Sequence, residues 1–228
     1  MNLLYHTYYK YIYKPVATVY LKSDSNITFD DFKLKILKDV FHPKLFFSSR
    51  YFYDFLKTKD LSGKLFLEIG CGSGILSLLA FNKSAKVTST DVDPKAIENT
   101  ALNFRTNFKD TFKEVEVIQS DVFSNVAQKK FDVVVVNPPY YFKKIDVNKQ
   151  LAWYCGENGE YFEKFFSTLQ FYIHPTSAVY MILADTAEIE RIKSIAQKHN
   201  IVFSVADERQ IKFEKNYIFQ LNKVSPQH

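Results

Sequence analysis

Three short stretches hold side chains that could act on a ligand. The first is Asn137-Pro138-Pro139-Tyr140, which follows the apolar run Phe131–Val136. Two prolines remove two backbone donors and stiffen the turn, leaving carbonyls as acceptors. A planar –NH2 group has two hydrogens to donate. The Asn137 side-chain oxygen and the Pro138 carbonyl can accept one each. Loss of planarity frees the nitrogen lone pair for in-line attack, and holding it against an electrophile removes much of the entropic barrier. Tyr140 offers a flat ring on which a planar amide or base can lie. The second stretch is Glu68-Ile-Gly70-Cys71-Gly72-Ser-Gly74, whose glycines let a ligand approach the backbone because no Cβ stands in the way. The third feature is a set of acids, Glu68, Asp91 and Asp121, each placed after an apolar run. A plain proline-rich turn, a plain glycine turn and helix-capping carboxylates would use the same residues.

These residues need a scaffold, and the chain alternates strands and helices from Gly63 onward. Leu65–Leu67 enters the glycine turn as a buried strand, and Ile75–Ala80 leaves it as a helix. Lys86–Thr90 is a strand ending in Asp91. Pro94 opens a helix through Asn103, a favoured place for proline. Val115–Gln119 is a strand followed by Asp121, and Phe131–Val136 a strand buried on both faces. Helices are expected over Glu157–Phe171 and Thr186–His199, and strands over Ser177–Leu183, Ile201–Val205 and Asn216–Asn222. Such alternation gives a mostly parallel sheet with helices on both faces. The short link between the last two strands suits an antiparallel hairpin. Ligands of open α/β sheets sit at the carboxyl ends of the strands, where the three acids fall. Asp91, about 20 residues past the glycine turn, is placed to accept two ribose hydroxyls. Asp121, at the next strand end, is placed to accept from an amino group of the same ligand.

The glycine spacing excludes two common nucleotide sites. A dinucleotide turn beginning at Gly70 needs glycine at position 75, which is Ile75, and no Gly-Lys-Ser/Thr closes a phosphate loop. What stands is E-x-G-x-G-x-G, which resembles the S-adenosylmethionine loop of class I methyltransferases. An acidic residue suits a ligand that carries an ammonium and a sulfonium. Residues 40 to 224 resemble the HemK-type and related small-domain methyltransferases. Leu67–Gly74 and Thr90-Asp-Val-Asp-Pro94 are similar to their cofactor motifs, Asn137-Pro-Pro-Tyr140 to their catalytic motif, and Cys155-Gly-Glu-Asn-Gly159 to their G-G-E-D-G stretch, with Cys155 and Asn158 as departures. The resemblance implies a Rossmann-like, mostly parallel seven-stranded sheet with helices on both faces and a C-terminal antiparallel hairpin. It implies S-adenosylmethionine against Glu68, Gly70, Cys71, Gly72, Gly74, Asp91, Val92, Asp121, Val122 and Asn137. It further implies a glutamine side chain, as in a translation release factor, held by Asn137, Pro138, Pro139 and Tyr140. The same tetrapeptide serves adenine-N6 and guanine-N2 methyltransferases acting on DNA and RNA. Bacterial HemK enzymes carry an all-helical N-terminal domain, and residues 1–60 do not read that way.

Residues 1–60 read instead as an N-terminal extension, strand-rich then helical, and 61–228 as the methyltransferase domain. Tyr9, Tyr11 and Tyr13 alternate with Lys10, Ile12 and Lys14, so a strand is expected there. Interleaved aromatic and basic residues can stack bases and pair phosphates; a strand laid over the main domain uses the same pattern. Residues 29–40 read as a short helix or a strand-like lead-in, with a loop over 40–49 and Ser48 or Ser49 as cap of a helix to Lys57. Trp153 and Tyr154 either wall the substrate pocket or close the core. Glu157 reads as a helix N-terminal charge or a substrate contact.

The formal charge is +5, and the first 60 residues hold ten Lys/Arg against six Asp/Glu. Two cysteines and five scattered histidines imply neither a disulfide framework nor a metal site. No apolar run approaches the ~20 residues of a membrane helix, and the expected setting is a reduced cytoplasm with a monomeric protein. Three readings remain open: a glutamine N-methyltransferase acting on a protein, a methyltransferase of an rRNA, tRNA or DNA base, and a non-catalytic cofactor- or nucleic-acid-binding module.

Overall fold

Phe131–Val136 forms β6, and its last three valines are wholly buried. Burial on both faces requires a strand at the centre of a helix-covered sheet. The computed structural model, which describes residues 23–45, 47–145, 151–211 and 214–224, places it there. The expected strand around Tyr9–Tyr13 lies outside the described residues.

The strands in chain order are β1 (Ser25–Phe29), β2 (Phe32–Ile36), β3 (Leu65–Ile69), β4 (Lys86–Asp91), β5 (Glu116–Gln119), β6, β7 (Ile173–Ala184), β8 (Ile201–Ile211) and β9 (Glu214–Lys223). The helices are α1 (Phe47–Lys57), α2 (Ile75–Asn82), α3 (Pro94–Phe108), α4 (Glu160–Leu169) and α5 (Ile189–Lys198). β3 to β9 make one seven-stranded sheet in the order β5-β4-β3-β6-β7-β9-β8. β5 through β7 run parallel, and β9 inserts antiparallel between β7 and β8. This is the doubly wound α/β fold with a C-terminal antiparallel hairpin that the alternation predicts.

Side chains alternate between the two faces of each strand. Phe66, Val133, Val135, Tyr180 and Ile182 face the layer of α1, α2 and α3. Leu67, Ile69, Val134, Val136, Met181 and Leu183 face α4 and α5. Several boundaries shift from expectation. β7 starts at Ile173 and β8 continues to Ile211, because each pairs along its length with a neighbour. α1 begins at Phe47, so Ser48 and Ser49 lie in its first turn and do not cap it.

Residues 25–36 form a β-hairpin, where the sequence left helix and strand open. Its turn is Asp30-Asp31, with Asp30 in the left-handed region at φ 47°. The Asp30 carboxylate receives Arg50 at 2.6 Å and Lys57 at 2.9 Å, both from α1. β1 pairs one edge of β2. The other edge is paired by side chains of α3. Asn107 Oδ1 accepts from the Lys33 amide at 2.9 Å and its Nδ2 donates to the Lys33 carbonyl at 2.9 Å. Asn103 Oδ1 accepts from the Lys35 amide at 2.9 Å, and Asn99 Oδ1 from the Leu37 amide at 2.7 Å. Asn99 Nδ2 returns a bond to the Lys35 carbonyl at 2.7 Å. Three asparagines one turn apart thus stand in for a third strand. Asn103 Nδ2 turns the other way and donates to the Ser73 carbonyl at 2.9 Å, inside the glycine turn.

Asn103 is fully buried, so Asn103→Ala strands the Ser73 C=O away from water and leaves the half-buried Lys35 N–H without its partner. Each buried orphan costs ~1–3 kcal/mol. Urea denaturation should show Asn103→Ala destabilised by about 3 kcal/mol. Asn107→Ala, at the solvated end of the ladder, should lose about 1 kcal/mol. Equal losses would mean that the bond to Ser73 carries nothing.

Candidate functional site

A cavity of about 680 Å³ opens over the carboxyl ends of β3, β4 and β6. Its floor is the turn after β3. Gly74 precedes α2 with φ 79°, and a Cβ there would sit 2.8 Å from Thr100 Cγ2 of α3. Both facts demand glycine. Thr100 Oγ1 approaches the Gly72 carbonyl and Cys71 Sγ, each at 3.2 Å, which fastens the turn to α3.

The three strand-end acids lie in three environments. Glu68 is 4% exposed and points toward α2, where it accepts from the amide of Ser77 at 2.9 Å and from its hydroxyl. Burial pushes its carboxyl up to about 8, with the Asp91 charge adding and the Ser77 donors opposing. Asp91 is half-buried in the cavity wall. Its Oδ2 accepts from the Gly72 amide at 2.9 Å and its Oδ1 from the Asp93 amide at 3.0 Å. Loss of hydration raises its carboxyl, and these amides hold it down. The Val92 amide also acts on this carboxylate, whose two oxygens offer about four lone-pair sites in all, so capacity remains for a further donor. Asp121 stands exposed at the rim, 2.6 Å from Lys164 Nζ of α4. Asp93, beside Val92, caps α3 through the Lys95 amide at 2.9 Å, with Pro94 in its first turn.

Asn137-Pro138-Pro139-Tyr140 leaves β6 into the same cavity. The Asn137 carbonyl lies 3.8 Å from where a Gly70 Cβ would be, so the proline turn abuts the glycine turn. The next residue is pinned: the Tyr141 amide donates to the Trp153 carbonyl at 3.1 Å, and the Cys155 amide to the Tyr141 carbonyl at 3.0 Å. That bridge holds Trp153 in the wall, with its ring 5.9 Å from Phe41. Trp153 and Tyr154 both line the cavity.

The structure brings together on this cavity Glu68, Gly70, Cys71, Gly72, Asp91, Val92, Asp121, Val122, Asn137, Pro138, Pro139, Tyr140 and Trp153. Gly74 lies just outside the lining and acts through the turn. Glu157 lies apart from it. α4 starts at Glu160, after Gly159 at φ 81°, so Glu157 precedes the helix, and its carbonyl accepts from Arg191 at 2.9 Å. Sequence reasoning missed Phe41, Tyr161 and Lys164. Tyr161 was visible as one position on the apolar face of α4. The carboxylates of Asp91 and Asp121 both act on its hydroxyl, which burial raises first. Nothing local marks Phe41 or Lys164. Among the described residues the charged lining is seven acids and one lysine, Lys164.

Residues 31–156 match the family model described as methyltransferase small domain. Solved structures resemble the chain in fold. A methyltransferase from Pyrococcus furiosus is 24% identical, with TM-score 0.60, over 84% of this chain and 90% of that one. The E. cuniculi Mtq2-Trm112 complex, responsible for methylation of the eRF1 translation termination factor, contains a chain that is 20% identical, with TM-score 0.60, over 82% of this chain and 99% of that one. The M. jannaschii tRNA m1G37 methyltransferase is 16% identical, with TM-score 0.61, over 89% of this chain and 58% of that one.

The raised Glu68 carboxyl has a consequence for stability. Between an unfolded value near ~4.3 and a folded value of about 8, the folded chain keeps a proton that the unfolded chain releases. Its stabilising effect is full below the unfolded value and is lost as pH rises through the folded one. Glu68→Gln cannot ionise, yet keeps an acceptor for Ser77. Thermal melts of the ligand-free protein should show Glu68→Gln gaining on the wild type steadily from pH 5 to pH 8. A constant difference across that range would mean that Glu68 is charged throughout.

Proposed function

The chain belongs to the methyltransferase small-domain family, and on that premise we propose that it transfers a methyl group from S-adenosylmethionine to a planar amide nitrogen, that of a glutamine side chain in a protein such as a translation release factor. The observation that carries this reading is that Asn137-Pro138-Pro139-Tyr140 opens onto the same cavity as Asp91 and the glycine turn.

The residues present fit the cofactor. Asp91 keeps acceptor capacity beyond its amide donors, which suits a ribose hydroxyl. Val92 and Val122 offer apolar sides for a base, and Asp121 an acceptor for its amino group. An acid-rich lining suits a sulfonium and an ammonium. When bound, the cofactor supplies an electrophilic methyl group. Asn137 Oδ1 and the Pro138 carbonyl take the two amide hydrogens of the acceptor and draw electron density onto its nitrogen. Tyr140 lies against the amide plane. No strong base is required, because the nitrogen becomes acidic only once it is alkylated, and its proton then passes to solvent.

Two observations favour a protein acceptor. Seven acids against one lysine make the described lining unwelcoming to a phosphate backbone. The likeness to the E. cuniculi chain, which acts in methylation of a termination factor, runs over 99% of that chain. A second reading makes the acceptor a nucleobase amino group. It draws on the basic, tyrosine-rich residues 1–22 and on the likeness to the M. jannaschii tRNA enzyme.

Labelling a cell extract with tritiated S-adenosylmethionine tests the two. Radiolabel that protease removes and nuclease spares is expected. Nuclease-sensitive label, with affinity falling steeply as salt rises, would transfer the assignment to nucleic acid. Asn137→Ala should lower turnover about a hundredfold to a thousandfold, the loss typical of one donor or acceptor at a reacting group. Its affinity for S-adenosylhomocysteine, measured by calorimetry, should stay within about twofold. Asp91→Ala should do the reverse, weakening S-adenosylhomocysteine binding first. A parallel loss of binding in Asn137→Ala would mean that Asn137 holds the cofactor.

A further inference from the structure

Lys164 is the single basic side chain among the described residues of the cavity lining. It reaches from α4 to the loop after β5 and meets Asp121 Oδ2 at 2.6 Å. Both side chains are open to solvent, 39% and 57% exposed. An exposed pair of this kind contributes ~0–1 kcal/mol to stability, so its interest lies in geometry. We infer that Lys164 is a positioning residue for the cofactor: it fixes the Asp121 carboxylate so that the second oxygen faces the adenine amino group. This rests on the cofactor placement proposed above and is independent of the methyl acceptor.

The two backbones that carry the pair are rigid. Lys164 stands on a helix anchored in the core by Phe162, Phe165, Phe166 and Leu169. Asp121 stands on a tight turn. The Ser120 amide donates to the Asp91 carbonyl at 2.8 Å, the Ser124 amide to the Asp121 carbonyl at 3.1 Å, and Ser120 Oγ to the Val122 carbonyl at 3.0 Å. Val122 within it sits at φ 55° and is buried. The flexible part is the Asp121 side chain itself, which solvent would otherwise let rotate. The Lys164 ammonium donates to Oδ2, which leaves Oδ1 for a ligand. Tyr161, one turn before Lys164, lines the same cavity, and its hydroxyl senses the charges of both Asp91 and Asp121. Asp91, Asp121, Tyr161 and Lys164 thus share one stretch of the cavity lining, where a base attached to a ribose at Asp91 would lie.

The test uses two ligands and no acceptor. S-adenosylhomocysteine is compared with its 6-deamino analogue, in which hydrogen replaces the adenine amino group. A hydrogen bond to a charged group is worth roughly tenfold in affinity, so the wild type should prefer S-adenosylhomocysteine by about that factor. Lys164→Met should reduce the preference to about threefold or less by weakening S-adenosylhomocysteine alone. Lys164→Arg should retain it, and Asp121→Ala should abolish it. Equal weakening of both ligands by Lys164→Met would mean that Lys164 touches another part of the cofactor or holds the fold. An unchanged preference would make the pair a bystander. Wild-type protein that binds neither ligand would sink the cofactor placement, and this inference with it.

Discussion

An unpaired strand edge inside a protein has to find partners, because buried backbone N–H and C=O groups cannot be left without them. The outer edge of β2 is such an edge, and α3 completes it with side chains. Four residues of helix rise about 6.0 Å and two residues of strand about 6.6 Å. Asparagines at 99, 103 and 107 therefore stay in step with the outward-facing amides of 33, 35 and 37. The match fixes both the register and the distance of the hairpin. Because Asn103 also holds Ser73, the hairpin and the glycine turn are tied to one carboxamide. Asp39, Val40 and Phe41 follow β2 directly and wall the cavity. The placement of one side of the cavity thus depends on the ladder.

This explains what was legible in the sequence. The doubly wound sheet was readable because continuous apolar strand runs such as Phe131–Val136 alternate with helices long enough to declare themselves. The strand-end acids were readable because chain order maps onto position at the carboxyl edge of such a sheet. The hairpin was not. Phe29-Asp-Asp-Phe32 fits a helical spacing as well as a turn, and Phe32-Lys-Leu-Lys-Ile36 is a short alternation. Its partners lie more than sixty residues away. A signal did exist in Asn99, Asn103 and Asn107, since asparagine is a poor helix interior residue and three at a spacing of four need a reason. Phe41 and Lys164 gave none. They reach the cavity through tertiary packing.

Glu68, Asp91 and Asp121 lie on or just past neighbouring strands, each two residues beyond the register partner of the one before, and their surroundings differ accordingly. Glu68 lies behind the turn with Ser77 as its donor, and its folded form favours the proton. It then adds no charge to the cavity at neutral pH and serves to bind α2 to β3. Asp91 has two backbone amides to hold its charge. Asp121 has a lysine and water. Access to solvent therefore increases from the floor of the cavity toward its rim.

Such a gradient has a physical logic. Carboxylates packed together without cations repel one another, and low dielectric strengthens the repulsion. Neutralising the deepest one relieves it at the point where water screens least. Asp91 and Asp121 face the open volume of the cavity. The proline turn, which abuts the glycine turn, brings carbonyls and a carboxamide, neutral dipoles that add no further charge.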